Sequence, residues 1–442
     1  MLRPTEILFG FAFAALATAA IAPTFAFAEV AVVTPTLETA NLGEENGDAD
    51  ADDPAFWIDP ADAAKSLVIT AVKNGGIRVY DLQGAEVQVI DRVTTDAGKG
   101  RINNIDVIYG LALSDGSTVD VAVASDRGLD ILRVYRIESG AAAPLTEITD
   151  LSVGRAFPTR PDAAGGADQD NPLDDQMTIY GITGWKSADG KGWVVGTQRT
   201  NPRLGVFALE PVAGGKVAAR LVRDLRVPFT FLGQDLTVEN EDDPALDWSP
   251  QFEGLAVDKV TGTVYAGQED VGIWAIDPVA GTISDAPLYT TRGSAKSSFS
   301  VPDSLISRDV EGLTVYYGQN DRYLLVSSQG GAHGDVPAPD APYDNSFVVF
   351  RIGNGLEPLG AFSLGAGGTI DAVQESDGAD VIATALPGWP NGLFVSQDGY
   401  NDDLNGLDGE TAATNFKFVD WAAIASQFSP ALEINRGFDP RR

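Results

Sequence analysis

Short apolar runs recur along most of this 442-residue chain, separated by turns rich in Gly and Asp. Each repeat begins with small or acidic residues and an apolar strand. It then turns into a second strand with a polar end and a third strand that ends in an aromatic residue. In successive copies the three strands are predicted at Asp53–Ile58, Leu67–Lys73 and Ile77–Tyr80; Asn104–Tyr109, Val119–Arg127 and Leu132–Tyr135; Tyr180–Thr183, Gly192–Arg199 and Leu204–Phe207; Glu253–Asp258, Val264–Asp270 and Gly272–Trp274; Glu311–Tyr316, Tyr323–Gln329 and Phe347–Phe350; and Asp377–Val381, Gly392–Asp398 and Phe416–Phe418.

Six copies of a strand meander, spaced roughly 50 to 75 residues apart, predict an all-β fold, a six-bladed β-propeller. Two stacked sandwich domains are the alternative, but no linker-like segment divides the copies and their polar ends fall at matching positions. Closing the ring removes exposed sheet edges, and the segment from Val30 to Leu37 can supply the strand that completes the last blade. We therefore expect residues 29–442 to form a single propeller domain, with Phe157–Gln176, Thr237–Pro250 and Ala332–Asn345 as surface insertions.

Residues 1–28 have the pattern of a cleaved signal peptide. Arg3 precedes an apolar run from Ile7 to Ala22, and Ala26-Phe27-Ala28 offers the small residues that signal peptidase recognises, so cleavage before Glu29 is expected. A membrane anchor is the alternative, but the run is short for the roughly 20 residues that span a bilayer, and a proline follows it. The protein is therefore expected to be exported, to the periplasm or the medium, and to have no membrane segment after cleavage.

Composition narrows the possible chemistry. The chain has 63 Asp+Glu against 30 Lys+Arg, a formal net charge of −33, one His and no Cys. Thiolate zinc sites and disulfides are therefore excluded, and the single imidazole, His333, cannot form a site that needs two; we expect it in an exposed loop. The negative field should repel nucleic acid and anionic lipid. Any metal ligands must be mainly oxygens, which suit hard cations such as Ca²⁺.

In a propeller the innermost strands line the central channel, so the starts of first strands and the ends of second strands should converge on one mouth. The polar residues predicted there are Asp52, Asp53, Lys73, Asn104, Asp106, Arg127, Tyr180, Arg199, Glu253, Glu269, Asp270, Asp309, Glu311, Gln329, Asp377 and Asp398. Carboxylates crowded in this way repel one another unless cations lie between them. A solvated acidic rim would explain any one residue, but recurrence at equivalent positions favours metal binding.

Basic residues at the same predicted mouth point to phosphate. Lys73, Arg127 and Arg199 each close a second strand in a chain with few basic residues. Arg pairs with phosphate oxygens through two N–H groups, and Lys supplies a point charge. A surface ion pair with a nearby Asp is the alternative for each. Cations held by carboxylates, facing fixed positive side chains, suit a polyanion and can activate water for in-line attack at phosphorus.

An ordered set of motifs resembles the β-propeller phytases. The motifs are Asp50–Pro60, Asn103–Asp106, Asp309–Tyr317, Ser327–Gly330 and Gly392–Gly399. The resemblance extends from about Asp48 to Phe438-Asp439-Pro440-Arg441, nearly the whole chain beyond the signal peptide. As a set these motifs are highly specific, whereas Glu-Gly-Leu alone would be weak.

The resemblance implies a calcium-dependent phosphomonoesterase, and we expect the protein to be a monomer. Its substrate would be myo-inositol hexakisphosphate (phytate), taken as its calcium complex, and hydrolysis would proceed by attack of a calcium-bridged water without a phosphoenzyme. By position, the residues that match ligands of catalytic calcium ions are Asp52, Glu253, Glu269, Glu311 and Asp377. Lys73, Arg127 and Tyr180 match phosphate contacts.

The resemblance also implies further calcium ions. The matching residues for structural sites are Asp53, Pro54, Ile105, Asp371, Gln397 and Asp398, with Pro54 and Ile105 contributing backbone oxygens. Asp309 and Gln329 match a calcium site in the channel. Two departures affect these assignments. Gln198-Arg199 stands where a Lys-Glu pair is expected, so Arg199 is taken as the substitute phosphate contact, and the segment from Asp371 to Asp377 is shortened.

Two other functions share parts of this pattern. A six-bladed calcium-dependent lactonase or sugar-acid hydrolase would have the same fold and metal but would need no Lys/Arg cluster, and fold alone does not separate the two. A non-catalytic binding propeller would keep structural calcium but would have no reason to hold five further carboxylates together. Phytases that depend on a nucleophilic His, a Cys or several His ligands cannot be built from this composition.

Overall fold

Six sheets of four or five strands surround a central channel in the computed structural model of this chain. The structure describes residues 30–43, 46–157, 176–240, 242–330, 342–401 and 413–441. The predicted signal peptide, His333 and most of two of the predicted insertions lie outside these residues. The all-β, six-bladed propeller is confirmed.

Each blade runs from an innermost strand at the channel to a fourth strand at the periphery. From inside to outside the strands are, for blade 1, Pro54–Trp57, Leu67–Ala71, Ile77–Tyr80 and Glu86–Ile90; for blade 2, Ile102–Ala112, Thr118–Asp126, Ile131–Ile137 and Leu145–Glu147; for blade 3, Ile179–Lys186, Gly192–Gln198, Arg203–Val212 and Lys216–Arg226; for blade 4, Phe252–Val257, Val264–Gln268, Gly272–Asp277 and Thr282–Ile283; for blade 5, Val310–Tyr317, Arg322–Ser328, Ser346–Ile352 and Leu356–Leu364; and for blade 6, Ala379–Ile382, Leu393–Asp398, Asn415–Asp420 and Leu37–Glu38.

A few short elements lie outside this scheme. They are the hairpins Thr94–Thr95 with Gly98–Lys99 and Thr230–Phe231 with Gln234–Asp235, the strand Tyr289–Thr290 against the third strand of blade 4, the 3₁₀ turns Ala63–Lys65, Leu151–Val153 and Pro244–Leu246, and the helix Trp421–Ala425. In the described part of the chain, no helix is both long and apolar enough to cross a membrane.

The N-terminal segment closes the ring, as predicted, but it does so in two places. Leu37–Glu38 pairs with Asn415–Asp420 and becomes the fourth strand of blade 6. Ala31–Val33 instead runs parallel to Leu356–Leu364 and adds a fifth strand to blade 5. The start of the described chain therefore fastens the last two blades to each other.

Apolar side chains fill the spaces between neighbouring blades. Between blades 2 and 3, for example, Val121 and Val134 pack with Ile182 and Phe207, and all four are buried. Inner and middle strands are covered on both faces by adjacent blades, which explains why they read as continuous apolar runs in the sequence. Each such side chain contributes about 1.5–3 kcal/mol through burial.

Half-buried aspartates connect the innermost strands of adjacent blades. Asp106 in blade 2 accepts a hydrogen bond from the Thr183 hydroxyl of blade 3 at 3.0 Å. Asp380 in blade 6 accepts one from the Thr314 hydroxyl of blade 5 at 2.7 Å, and one from the Phe56 N–H of blade 1 at 3.0 Å. Such bonds satisfy these half-buried carboxylates and fix the stagger between blades.

Candidate active site

One residue at or just before the start of each innermost strand belongs to a single polar cluster at one end of the channel. In blade order these residues are Asp52, Asn103, Tyr180, Glu253, Glu311 and Asp377. We call them the inner ring. Asn103 of blade 2 donates a hydrogen bond to Glu253 of blade 4 at 2.6 Å, so residues from non-adjacent blades meet across the opening. The predicted convergence of strand starts is therefore present.

Glycines allow the innermost strands to approach closely enough to form the inner ring. A Cβ atom on Gly254, which follows Glu253, would lie 2.0 Å from the backbone oxygen of Glu311 in the next blade. The equivalent glycines of blades 3, 5 and 6 are Gly181, Gly312 and Gly378. A Cβ atom on each would also meet the backbone of the next blade. The glycine that follows the ring residue in blades 3 to 6 thus has a steric cause, because a side chain there would meet the backbone of the next blade.

Three glutamates form the acidic part of the site. Glu253, Glu269 and Glu311 each offer a carboxylate oxygen within 4.8 Å of the other two, and all three are buried. Burial raises the pKa of Glu269 and Glu311 well above the ordinary value, and repulsion from Asp309 and Glu253 raises both further. Ionising this cluster is therefore unfavourable unless a cation lies in it.

A lysine connects the acids of blades 1 and 6. Lys73 Nζ lies 2.7 Å from Asp377 Oδ2, 3.1 Å from Asp50 Oδ2 and 3.6 Å from Asp52 Oδ2. Burial alone would lower the pKa of Lys73, but these carboxylates raise it well above the ordinary value. Burial raises the pKa of Asp52 in spite of the lysine, and Asp377 adds to the effect. Lys73 is thus a fixed cation at the edge of the acidic cluster.

Guanidinium groups lie beside the glutamates. The Tyr180 ring has Arg127 Cζ at 5.3 Å and Arg199 Cζ at 5.6 Å from its centroid, distances typical of cation–π contacts. Arg101, which was not predicted, lies 4.0 Å from Asp50, and its pKa is lowered by burial and by nearby Arg127. The Nε atoms of Arg101, Arg127 and Arg199 are buried and have no hydrogen-bond partner in the described part of the chain. These donors suit an anion.

Amide side chains orient the acids. Asn103 contacts Glu253, Gln251 Nε2 donates to both oxygens of Glu269 at 2.7 and 2.9 Å, and Gln329 Nε2 donates to Asp377 Oδ1 at 2.7 Å. Asn103 and Gln251 were not predicted as site residues, although both precede or begin an innermost strand. A rule that examined every polar residue at those strand starts would have found them.

The channel pair, Asp309 and Gln329, lies beside the glutamates. The backbone N–H of Asp309 donates to the backbone carbonyl oxygen of Glu269 at 2.9 Å. The backbone N–H of Gln329 donates to the backbone carbonyl oxygen of Asp309 at 3.2 Å. Asp309 has φ +71°, and Lys73 has φ +39°, both in the left-handed region that side chains rarely adopt. Unfavourable backbone angles at two polar residues of one cluster are characteristic of functional sites.

The residues predicted for structural calcium form two separate groups. Asp53 Oδ2 accepts the Ile105 N–H at 3.1 Å, next to Pro54. Asp371 and Asp398 lie in blade 6 around the buried ammonium of Lys417, which is 2.8 Å from Asp398 Oδ2. Gln397 is not directed at that pair, since its Oε1 accepts the Asp377 N–H at 2.7 Å. A calcium ion bound by Asp371 and Asp398 would share them with Lys417.

Two aspartates expected at the mouth lie elsewhere. Asp106 is further along its strand, where it holds Thr183. Asp270 is fully buried; it accepts the Ser249 N–H at 2.6 Å and has Arg308 Nη1 at 3.8 Å. Both are structural because their oxygens serve neighbouring elements. The position of an acid near a strand end therefore does not by itself place its side chain in the site.

The inner ring and the neighbouring Gln329 together fit a hard cation. Both carboxylate oxygens of Asp52, Oε2 of Glu311 and Oε1 of Gln329 are buried without a hydrogen-bond partner among the described residues. Buried oxygens are normally satisfied, so such a group requires a further positive or hydrogen-bonding species. Carboxylate and amide oxygens are the ligands that Ca²⁺ prefers.

Comparison of this sequence with family models and with known proteins points to a single family. A sequence model of the family described as Phytase matches residues 6–154 and 237–442. The unmatched stretch contains the four strands of blade 3, the blade in which Gln198-Arg199 departs from the expected pair. The 3-phytase of Bacillus subtilis (strain 168) is 29% identical over 418 residues, covering 92% of this chain and 88% of that protein.

Solved structures give weaker likenesses. A Bacteroides thetaiotaomicron VPI-5482 protein of unknown function has a TM-score of 0.42 at 10% identity, with 89% of this chain and 75% of that chain covered. The β-propeller domain of Myceliophteria thermophila Cps50 (Swd1) has a TM-score of 0.38 at 10% identity, with 83% of each chain covered. At these TM-scores neither likeness carries an argument.

Proposed function

This chain belongs to the phytase family and is a phytase, and from that premise we propose that it is a calcium-dependent phosphomonoesterase that releases phosphate from phytate. The observation that carries the proposal is the inner ring itself. Buried carboxylates with unsatisfied oxygens lie directly beside Lys73, Arg127 and Arg199. One half of the site suits a cation and the other suits a phosphate group.

The catalytic calcium ions would be held by Asp52, Glu253, Glu269, Glu311 and Asp377. Asp309 and Gln329 would hold a cation in the channel, and the structural ions would be held by the groups of Asp53, Pro54 and Ile105 and of Asp371, Gln397 and Asp398. The chemistry that calcium supplies when bound is neutralisation of these carboxylates, attraction of phosphate oxygens and activation of water for in-line attack on phosphorus.

The basic side chains bind and orient the substrate. Arg127 and Arg199 are held by the Tyr180 ring between them, so their N–H groups are positioned before phosphate arrives. Lys73 adds a further positive charge to the site, near Asp52 and Asp377. Fixed donors of this kind lose little conformational entropy when they bind an anion.

The partner is therefore a small molecule, calcium phytate, and not nucleic acid. The net charge of −33 opposes contact with nucleic acid, which is itself a polyanion. We also propose export to the periplasm or medium, after removal of residues 1–28, and a monomeric enzyme formed by one propeller over residues 29–442.

Substitution of Glu311 by glutamine tests the proposed function. Glu311→Gln preserves size but removes a buried ligand charge, so phosphate release from phytate should fall by more than the roughly 10- to 100-fold cost of losing a residue that only supports a metal ligand. Glu357→Gln is the matched control, because Glu357 is an exposed residue of the same blade, paired with Arg351 at 2.8 Å. Release is measured with calcium present, and circular dichroism confirms the fold of both variants.

Two outcomes would refute this assignment. A folded Glu311→Gln variant with wild-type phosphate release would remove Glu311 from the active site. Turnover of lactones by the wild-type protein, with no phosphate release, would favour the lactonase that shares the propeller and the metal.

A further inference from the structure

The side chain of Asn103 joins the acidic and the basic parts of the candidate active site. Asn103 is fully buried at the second position of the innermost strand of blade 2. Its Nδ2 donates to Glu253 Oε1 at 2.6 Å and to Asn104 Oδ1 at 2.7 Å. Its Oδ1 accepts a hydrogen bond from Arg127 Nη1 at 2.7 Å. One amide thus contacts a predicted metal ligand and a predicted phosphate ligand.

The orientation of this amide follows from its partners. A guanidinium can only donate hydrogen bonds, so the Asn103 oxygen must face Arg127. An ionised carboxylate can only accept them, so the amide nitrogen must face Glu253. Among the described residues, Asn103 is the one side chain to which Arg127 donates a hydrogen bond. The position of the Arg127 guanidinium is therefore set by Asn103 on one side and by the Tyr180 ring on the other.

Gln251 makes a similar bridge in the neighbouring part of the site. Its Nε2 donates to both oxygens of Glu269, and its Oε1 accepts the Thr200 N–H at 2.8 Å, one residue beyond Arg199. In both cases a neutral amide connects a glutamate of the acidic cluster with the element that carries a phosphate-binding arginine. The repetition indicates that the bridge is part of how the site is built.

We propose that Asn103 is a positioning residue. It fixes the Glu253 carboxylate and the Arg127 guanidinium relative to each other, so that both lie at one phosphate group. This inference rests on the proposed function. An amide suits the role because it bonds both partners without neutralising either. A lysine at this position would compete with the cation for Glu253, and an aspartate would compete with phosphate for Arg127.

Asn103→Leu tests the inference because it removes both hydrogen bonds at nearly constant volume. Calcium affinity, measured by calorimetry without substrate, should fall about 10- to 100-fold, the usual cost of losing a side chain that orients a metal ligand. The KM for phytate should rise about tenfold on the same basis. Asn103 acts on substrate through Arg127, so adding Asn103→Leu to Arg127→Met should change KM by less than about twofold.

Asn391 provides a matched control. Its Nδ2 donates to Asp420 Oδ1 at 2.9 Å, and its Oδ1 accepts from Arg436 Nη2 at 2.7 Å, so it is the same carboxylate–amide–guanidinium bridge outside the site. Asn391→Leu should leave calcium affinity and KM at wild-type values. If Asn103→Leu does not fold, Asn103→Ser, whose shorter side chain reaches neither partner, is measured in its place.

Wild-type calcium affinity in a folded Asn103 variant would overturn the inference, even if its melting temperature fell. Independent KM penalties in the Asn103/Arg127 double variant would overturn it as well. Failure of the wild-type protein to release phosphate with calcium present would instead contradict the proposed function, and the two failures are therefore distinguishable.

Discussion

At the scale of single residues, acids of the inner ring and the neighbouring Glu269 are costly to ionise in the metal-free protein. Burial raises the pKa of Asp52, Glu269 and Glu311, and neighbouring carboxylates raise them further. A carboxyl whose pKa is higher in the folded state binds protons more tightly there than in the unfolded chain. The stability it contributes is full below the ordinary carboxyl pKa and is lost as pH rises through the raised value.

The way in which stability depends on pH should therefore differ between the calcium-free and the calcium-bound protein. For protein freed of metal by dialysis, the melting temperature should fall as pH rises from mildly acidic to neutral, because the buried acids ionise without a partner. With excess calcium the fall should disappear or reverse, since cations bind the ionised form of the folded protein. Differential scanning calorimetry across this range measures both curves. Parallel curves with and without calcium would contradict the role assigned to these acids.

Sequence alone predicted most of the charged residues that the structure brings together in the candidate site, but not their neutral partners. Glu253, Glu311 and Asp377 could be predicted because each lies at the start of an innermost strand and recurs at equivalent positions. Asn103 and Gln251 were missed, since an amide at a strand start, although visible in the sequence, is equally consistent with a turn or a buried polar pair. The contact of Lys417 with Asp371 and Asp398 joins residues distant in the sequence, and only the packing of blade 6 shows it.

At the scale of elements, the innermost strands are positioned by backbone contact. Gly254, Gly312 and the equivalent glycines lie against the backbone of the next blade, where rotation of a side chain cannot relieve a clash. The spacing of the ring residues in blades 3 to 6 thus depends on the absence of a Cβ one residue further along the chain.

Gly254→Ala should therefore disturb both stability and the site. The added methyl group would lie 2.0 Å from the Glu311 backbone oxygen, so the strands must move apart, at a cost of about 1–3 kcal/mol or more. Gly353→Ala is the control, because a methyl group added there would have nothing within 4 Å and the backbone of Gly353 is not left-handed. Chemical denaturation gives the free energy of unfolding of each variant. Equal stability of the two variants would show that the strands are not in tight contact.

The three inner strands of each blade could be predicted and the fourth could not. Inner strands are covered on both sides and form apolar runs such as Leu67–Ala71, which is entirely buried. The outer strand Glu86–Ile90 is mostly exposed, and even its Val87 and Val89 are exposed, so no buried apolar run marks it in the sequence. The same reason explains why the parallel pairing of Ala31–Val33 with blade 5 was not foreseen.

At the scale of the whole molecule, both ends of the described chain fasten the ring. The N-terminal strands join blades 5 and 6, and the C-terminal segment crosses the opposite end of the channel. There the Phe438 ring stacks on Tyr317 at 4.0 Å, and Arg441 lies over Tyr109 at 4.6 Å. A chain without cysteine is thus closed by pairing and packing instead of disulfides.

Taken alone, the net charge of −33 opposes an anionic substrate. The structure gathers part of that charge into one ring in which both oxygens of Asp52 and Oε2 of Glu311 have no hydrogen-bond partner among the described residues. Three arginines whose Nε atoms likewise have none there lie beside it. Cations bound in the ring would convert this acidic cluster into an anion site. Affinity for phytate should consequently depend on calcium.

A calcium titration of phosphate release tests this account most directly. Protein freed of metal is mixed with phytate, calcium is added stepwise, and released inorganic phosphate is measured, with re-chelation at the end. We predict no release without calcium, a rise as calcium is added and loss of activity on re-chelation. Phosphate release that is unaffected by complete removal of calcium, or absent at every calcium concentration, would contradict it.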